Sequence, residues 1–300
     1  GTPMKTPPSL VAGDTVYLTS PAKAVDEASL LKTKGILEAW GLKVLFAPHV
    51  LGRHHYFSGT DEERCADFQW GLDSPEIKAI LCTRGGYGCV RIVNQLNWDR
   101  FIANPKWIIG FSDVTVFHQK VNRLGYQSIH GIMPLGFSEG TEASRQTMKQ
   151  ALFGDSYVLE APSGPNNVLG EATGTLIGGN MTILYSLLAT DLSYLFSDKI
   201  LFLEDIGEHL YKIDRMLYAF EMAGVFNALK GLVLGGFTEL EDTDVPFGQE
   251  VSALILARVE RLGIPVAFDF PIGHISDNQA LTLGKRVHLS VSSSMSRLLI

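Results

Sequence analysis

Between residues 11 and 153 short apolar runs alternate with stretches whose apolar residues recur at helical spacing, the pattern of a parallel sheet covered by helices. Residues 15–20, 43–47, 77–83 and 107–110 read as strands, and residues 27–40, 61–72, 90–95 and 114–124 as helices. That order predicts an N-terminal flavodoxin-like or Rossmann-like domain. Turn formers without periodicity fill Ala161-Pro162-Ser163-Gly164-Pro165-Asn166-Asn167, which places an inter-domain linker there. Beyond it, strands are expected at residues 174–177, 199–203, 231–235 and 265–268, and helices at residues 181–189, 211–223 and 250–262. Residues 280–283 and 286–291, joined by Gly284-Lys285, read as a closing hairpin. The second half therefore predicts a mixed sheet, α+β or barrel-like. The domains are expected to cover residues 1–160 and 170–300, an α/β chain overall.

Composition narrows the function classes. With 46% hydrophobic residues in 300, the chain can bury a large core. Its net charge of −7 comes without a run of like charges, so it carries no footprint for nucleic acid or for an anionic membrane, and a small partner fits better. Three cysteines with no CxxC pair argue against a disulfide framework and a thiolate zinc site. A reducing, cytoplasmic setting follows, since neither a signal segment nor a stretch of roughly 18 apolar residues is found. Residues ahead of Met4 read as a cloning remnant or as a processed N-terminus.

Three places carry candidate chemistry. Trp107-Ile108-Ile109-Gly110-Phe111-Ser112-Asp113-Val114 runs from an apolar strand through a glycine into a helical pattern. A serine there projects its hydroxyl clear of the sheet and leaves the next amide at a helix N-terminus, as in a nucleophile elbow. The plainer reading is that Ser112 caps the helix; the usual second glycine of the elbow motif is absent. Thr83-Arg84-Gly85-Gly86-Tyr87-Gly88 follows a strand, and its glycines let backbone amides approach a phosphate or an oxyanion, or serve a tight turn. It matches neither the dinucleotide fingerprint nor the phosphate loop. Glu204 and Asp205 end one strand and His274 follows another, where ligands bind in α/β chains. Serine, acid, histidine is one of the known triad orders, although Glu204 paired with a base and His274 as a loop residue are structural alternatives. Glu208 reads as favourable charge at a helix head. His49, His54 and His55 lack metal-site spacing, so no metal or cofactor is expected.

Together these segments resemble the serine LD-carboxypeptidase family, or muramoyltetrapeptide carboxypeptidases, whose relatives include microcin-immunity peptidases. The resemblance spans nearly the whole chain. It rests on Ser20-Pro21-Ala22, Ser58-Gly59-Thr60-Asp61-Glu62-Glu63-Arg64, the glycine turn, Gly110-Phe111-Ser112-Asp113, Gly178-Gly179-Asn180, Leu203-Glu204-Asp205, Tyr211-Lys212-Ile213-Asp214-Arg215-Met216 and Gly273-His274. It implies Ser112 as nucleophile, His274 as general base, Glu204 as the orienting acid, and the amides of Gly86 and Asp113 as oxyanion hole, with the choice between Gly85 and Gly86 open. It further implies a flavodoxin-like N-terminal domain carrying the serine, a swivelling β/α C-terminal domain carrying the acid and the histidine, and a homodimer. The implied reaction frees a terminal D-alanine from the L-centre of a diamino acid during cytosolic recycling of cell-wall peptides. Arg84 is a candidate for the substrate's terminal carboxylate, which a guanidinium binds bidentately, or for bracing the glycine turn. Leu188-Ala189-Thr190 departs from the glycine many relatives carry, and residues 277–281 look closer to the recycling branch than to the immunity branch. Competing expectations are an immunity-type peptidase acting on aminoacyl-nucleotide conjugates, and a non-catalytic small-molecule binding protein.

Overall fold

Apolar runs too continuous for a half-exposed sheet, such as Ile80-Leu81-Cys82 and Trp107-Ile108-Ile109, become strands buried on both faces. In this computed structural model, which describes residues 3–300, they belong to one of two units, Met4–Asp155 together with Ser276–Thr282. Gly1 and Thr2, part of the stretch read as a remnant, lie outside the described residues. The unit alternates β1 (Thr15–Thr19), α1 (Glu27–Ala39), β2 (Lys43–Phe46), α2 (Asp61–Asp73), β3 (Ile77–Cys82), α3 (Asp99–Ala103), β4 (Trp107–Gly110), α4 (Thr115–Arg123) and β5 (Ser128–His130), and closes with α5 (Pro134–Glu139) and α6 (Glu142–Phe153). Its strands stand in the order β2-β1-β3-β4-β5, each pair parallel. That is the flavodoxin-like order, with its switch point between β1 and β3.

Local chemistry fixes these elements. Thr60 caps α2 through a reciprocal box with Glu63. The same helix ends on the buried ammonium of Lys106, which donates to Gly71 O (2.8 Å) and Ser74 O (2.7 Å). Burial pulls the Lys106 pKa down to about 8. The helix expected at residues 90–95 forms instead as two 3₁₀ turns, Cys89–Arg91 and Val93–Gln95. Its first amide is tied to Asp113, and its β-branched residues Val90, Ile92 and Val93 are poor α-formers in so short a segment.

The second unit comprises Ser156–Ile275 and Leu283–Ile300. It contains β6 (Val158–Pro162), β7 (Gly170–Asn180), α7 (Met181–Ser186), β8 (Lys199–Ile206), α8 (Leu210–Met222), β9 (Gly231–Thr238), α9 (Val251–Val259) and β10 (Val266–Ala267). The chain then gives β11 (Leu281–Leu283), β12 (Arg286–Val291) and β13 (Met295–Leu299). The seven-stranded sheet runs β10-β9-β8-β7-β12-β13-β6, parallel from β7 to β10 and antiparallel beyond. It is an open mixed sheet with no closed barrel.

Two local expectations need correction. Ala161 and Pro162, read as the start of a linker, end strand β6 and pair with β13. The closing hairpin does not form: β11 joins the first sheet beside β5, while β12 pairs with β7 and β13. Burial explains the split. All three residues of β11 are buried, as in a strand covered on both faces, whereas β12 alternates exposed or half-buried residues with buried ones, as in a strand with one covered face. Gly284-Lys285 is the crossing, held by mutual backbone bonds to Leu176.

Candidate active site

Chain direction at the end of β4 is reversed by a residue in a costly conformation. Ser112 has φ +64°, a left-handed backbone that non-glycine residues rarely adopt, and the chain then enters a 3₁₀ turn (Ser112–Val114) and α4. Phe111 and Val114, rather than Ser112, occupy the N-cap positions of these two helices. What holds the elbow is a residue the sequence reading passed over. His118, fully buried on α4, places Nε2 2.7 Å from Gly110 O and Nδ1 2.7 Å from Ser128 Oγ. A carbonyl only accepts, so Nε2 carries the proton and Nδ1 accepts from the serine. Burial lowers the His118 pKa to about 4, which keeps the ring neutral at physiological pH.

The glycine turn after β3 is braced against this elbow. The Asp113 carboxylate is buried and accepts from the Cys89 amide at 2.8 Å; burial raises its pKa. On the other side the buried Arg64 donates to Gly59 O, Pro21 O and Gly88 O, and also pairs with Asp61. The motif Ser58 to Arg64 is thus a capped helix start carrying a guanidinium clamp for the loops after β1 and β3. Ser20 continues the brace by donating to Val50 O (2.6 Å), so its 2.6 Å contact with Thr83 Oγ1 takes the threonine's proton.

This bracing brings Gly85 so close to the serine that a Cβ there would lie 3.0 Å from Ser112 Oγ, 2.9 Å from Ser112 Cβ and 3.4 Å from the Asp113 nitrogen. Among the described residues, neither the Gly86 amide nor the Asp113 amide donates a hydrogen bond. The Asp113 amide adjoins Ser112 in the chain, and the Gly86 amide, like that of Gly85, belongs to the turn that meets the serine; unengaged N–H groups so placed can hold a developing oxyanion. Arg84 is exposed, and its Nη1 donates to Ala24 O at 2.7 Å, so it braces the loop after β1.

The acid and the histidine are built within the second unit. Strand β8 runs past its expected end to Ile206, so Glu204 and Asp205 stand inside the ladder, where the register with β9 shifts between Leu203 and Asp205. Glu204 is fully buried, and its Oε2 lies 2.8 Å from His274 Nδ1. A carboxylate accepts, so Nδ1 carries the proton and Nε2 keeps its lone pair. Gly273, at φ +115°, permits the contact: a Cβ there would lie 3.0 Å from both Cβ and Oε2 of Glu204. The amide of Asn180, which caps α7 with its oxygen, turns its nitrogen to Glu204 Oε1 and Asp205 Oδ1, each at 3.2 Å. Burial pushes the Asp205 pKa up to about 6 even though Thr182 and the Ile206 amide bond its carboxylate. For His274 burial works to lower the pKa, but the Glu204 hydrogen bond and the charges of Glu204, Asp205 and Glu239 outweigh it and leave a net rise.

Other candidates fall to structural tasks. His49 bonds Asp67 and Glu63 on α2, and Glu208 Oε1 lies 3.3 Å from the Thr182 hydroxyl, whose proton goes to Asp205. Among the described residues no group of three His, Cys, Asp or Glu side chains is placed to hold a metal, and no helix is long and apolar enough to cross a membrane.

Comparison with known proteins points the same way as the geometry. Residues 16–131 match the model of the LD-carboxypeptidase N-terminal domain, and residues 173–289 that of the C-terminal domain. The murein tetrapeptide carboxypeptidase of Pseudomonas aeruginosa is 32% identical over 283 residues, 90% of this chain and 91% of its own. The probable murein peptide carboxypeptidase of Bacillus subtilis is 32% identical over 297 residues, 95% of this chain and 92% of its own. Among solved structures, muramoyltetrapeptide carboxypeptidase from Oxalobacter formigenes superposes with a TM-score of 0.87 at 30% identity, covering 95% of this chain and 98% of that one.

Proposed function

The chain belongs to the LD-carboxypeptidase family, and from that premise we propose that it releases the terminal D-alanine of murein tetrapeptides with Ser112 as nucleophile, His274 as general base and Glu204 as the acid that orients it. The observation that carries the reading is the Ser112 elbow, a serine in left-handed backbone conformation that is met by the glycine turn at Gly85 and followed by the unengaged Asp113 amide. In the proposed reaction Ser112 Oγ bonds to the scissile carbonyl carbon while its proton passes to His274 Nε2, and the two amides receive the oxyanion. Collapse breaks the C–N bond, the proton passes to the departing amine, and D-alanine leaves. Water deprotonated by His274 then cleaves the acyl-serine ester. Glu204 keeps Nδ1 protonated and steadies the imidazolium formed in each half. The proposed setting is recycling of cell-wall peptides in the cytoplasm by a homodimer.

Incubation of the purified protein with murein tetrapeptide, a peptide ending in D-alanyl-D-alanine and an aminoacyl-nucleotide conjugate tests the substrate class. Free D-alanine is expected from the tetrapeptide alone. Hydrolysis confined to the conjugate would establish the immunity-type reading, and tight binding without turnover a binding protein.

The base carries a pH signature. Because the net effect of its neighbours raises the His274 pKa, the acid limb of kcat/KM is expected above the roughly 6.5 of an unperturbed histidine. Activity requires neutral His274, so it falls as pH drops through that raised value. In Glu204→Gln, burial remains while the hydrogen-bonded charge is gone, and the limb should move to lower pH in a profile of residual activity. An unmoved limb would assign the titration to another group.

A further inference from the structure

A carboxypeptidase must recognise the free carboxylate of its leaving group, for which a cation is a natural partner, and Arg84, the sequence candidate, is engaged by Ala24 O. A different cation lies over the glycine turn. Lys23 follows the Ser20-Pro21-Ala22 turn after β1; its amide donates to Gly85 O, and its backbone bridges to Phe57. The side chain then runs across Gly86, where a Cβ would meet Lys23 Cβ and Cδ at 3.2 Å each and the Tyr56 hydroxyl at 2.8 Å. The ammonium lies 5.3 Å from the centroid of the Tyr56 ring, a cation–π contact that orients it. Among the described residues no carboxylate pairs with it, although the side chain is only half-exposed. Tyr56 is itself 46% exposed, so both polar ends remain within reach of a ligand.

Spacing makes this cation relevant to the leaving group. Gly85 faces Ser112 and the Asp113 amide, whereas Gly86 faces Lys23 and Tyr56. Adjacent Cα atoms stand ~3.8 Å apart, and a terminal carboxylate is likewise one residue beyond the scissile carbonyl. The Lys23 side chain and the Tyr56 hydroxyl thus cover the turn residue next to the one that meets Ser112, on the scale of one substrate residue. We propose that Lys23 and Tyr56 form the subsite for the terminal carboxylate of the departing D-amino acid, with the ammonium as countercharge and the phenolic O–H as donor. This rests on the reading of Ser112 as the acylated residue. It leaves Arg84 a structural brace of the same loops.

The test compares kcat/KM for murein tetrapeptide with that for its C-terminal amide in wild type, Lys23→Met, Lys23→Arg and Tyr56→Phe. The methionine keeps the methylenes that cover Gly86 and removes the charge alone. The preference for the free acid is expected to shrink about 10–100-fold in Lys23→Met, the range for loss of a charged hydrogen bond, through KM more than kcat. Lys23→Arg should restore part of it, and Tyr56→Phe should lose less than Lys23→Met. An unchanged preference in a Lys23→Met enzyme still dependent on Ser112 overturns the subsite and leaves the proposed function standing. So does a loss that instead follows deletion of a carboxylate from the diamino acid on the acyl side. Activity surviving in Ser112→Ala would instead remove the reading on which the subsite rests.

Discussion

Replacing Ser112 with alanine is expected to lower kcat/KM for murein tetrapeptide about 10⁴-fold, and adding His274→Ala to that variant should cost almost nothing more. The reason lies in how the proposed reaction divides its work. His274 contributes by accepting the serine proton, so once the hydroxyl is gone there is no proton for it to take, and the losses do not add. Stability separates this account from the structural alternative. Phe111 and Val114 hold the cap positions of the two helices that follow the elbow, so the alanine variant is expected to keep its melting temperature, whereas loss of a cap would cost about 1 kcal/mol. D-alanine release measured for the two single variants and the double variant, beside thermal melts, decides the matter. Independent, multiplicative losses would mean that Ser112 and His274 do not act on one proton.

How much of this was legible beforehand follows the physics of each signal. Continuous apolar runs made β1, β3 and β4 visible, and with them the strand-to-helix turn at Ser112. Strand β5 was not visible because Ser128-Ile129-His130 offers one apolar side chain, and its place comes from pairing with β4. Helix α6 does carry sequence signals, Thr141 at its N-cap and Gly154 in the left-handed conformation after its end. The hairpin misreading has a physical source as well: a glycine between two apolar runs marks a chain reversal only if both runs want the same environment, and β11 and β12 do not.

Site residues show the same division. Glu204, His274, Ser112 and the glycine turn stand out as polar or flexible residues at strand ends. His118, Asn180 and the carboxylate of Asp113 act through buried contacts to groups outside their own elements, which no periodicity announces. Arg64 belonged to a recognised motif, yet its task as a three-loop clamp depends on Pro21, Gly59 and Gly88 converging on one guanidinium.

Gly85→Ala should leave a folded protein whose kcat/KM falls about 10²–10³-fold, the scale on which loss of an oxyanion donor acts. Unlike Gly86 at φ +90°, Gly85 does not occupy the left-handed region, so alanine brings little backbone strain. Its methyl carbon would instead arrive 3.0 Å from Ser112 Oγ and 3.4 Å from the Asp113 nitrogen, within the space where a scissile carbonyl must approach both amides. The 2.9 Å approach to Ser112 Cβ forces the serine or the loop to give way, so stability should fall modestly, within the ~1–3 kcal/mol typical of overpacking. Loss of kcat with KM little changed is the expected split, because the oxyanion exists only after attack begins. A crystal structure of the variant showing Ser112 in place, together with near-normal turnover, would remove the Gly86 and Asp113 amides from the mechanism and leave the elbow without its electrostatic partner.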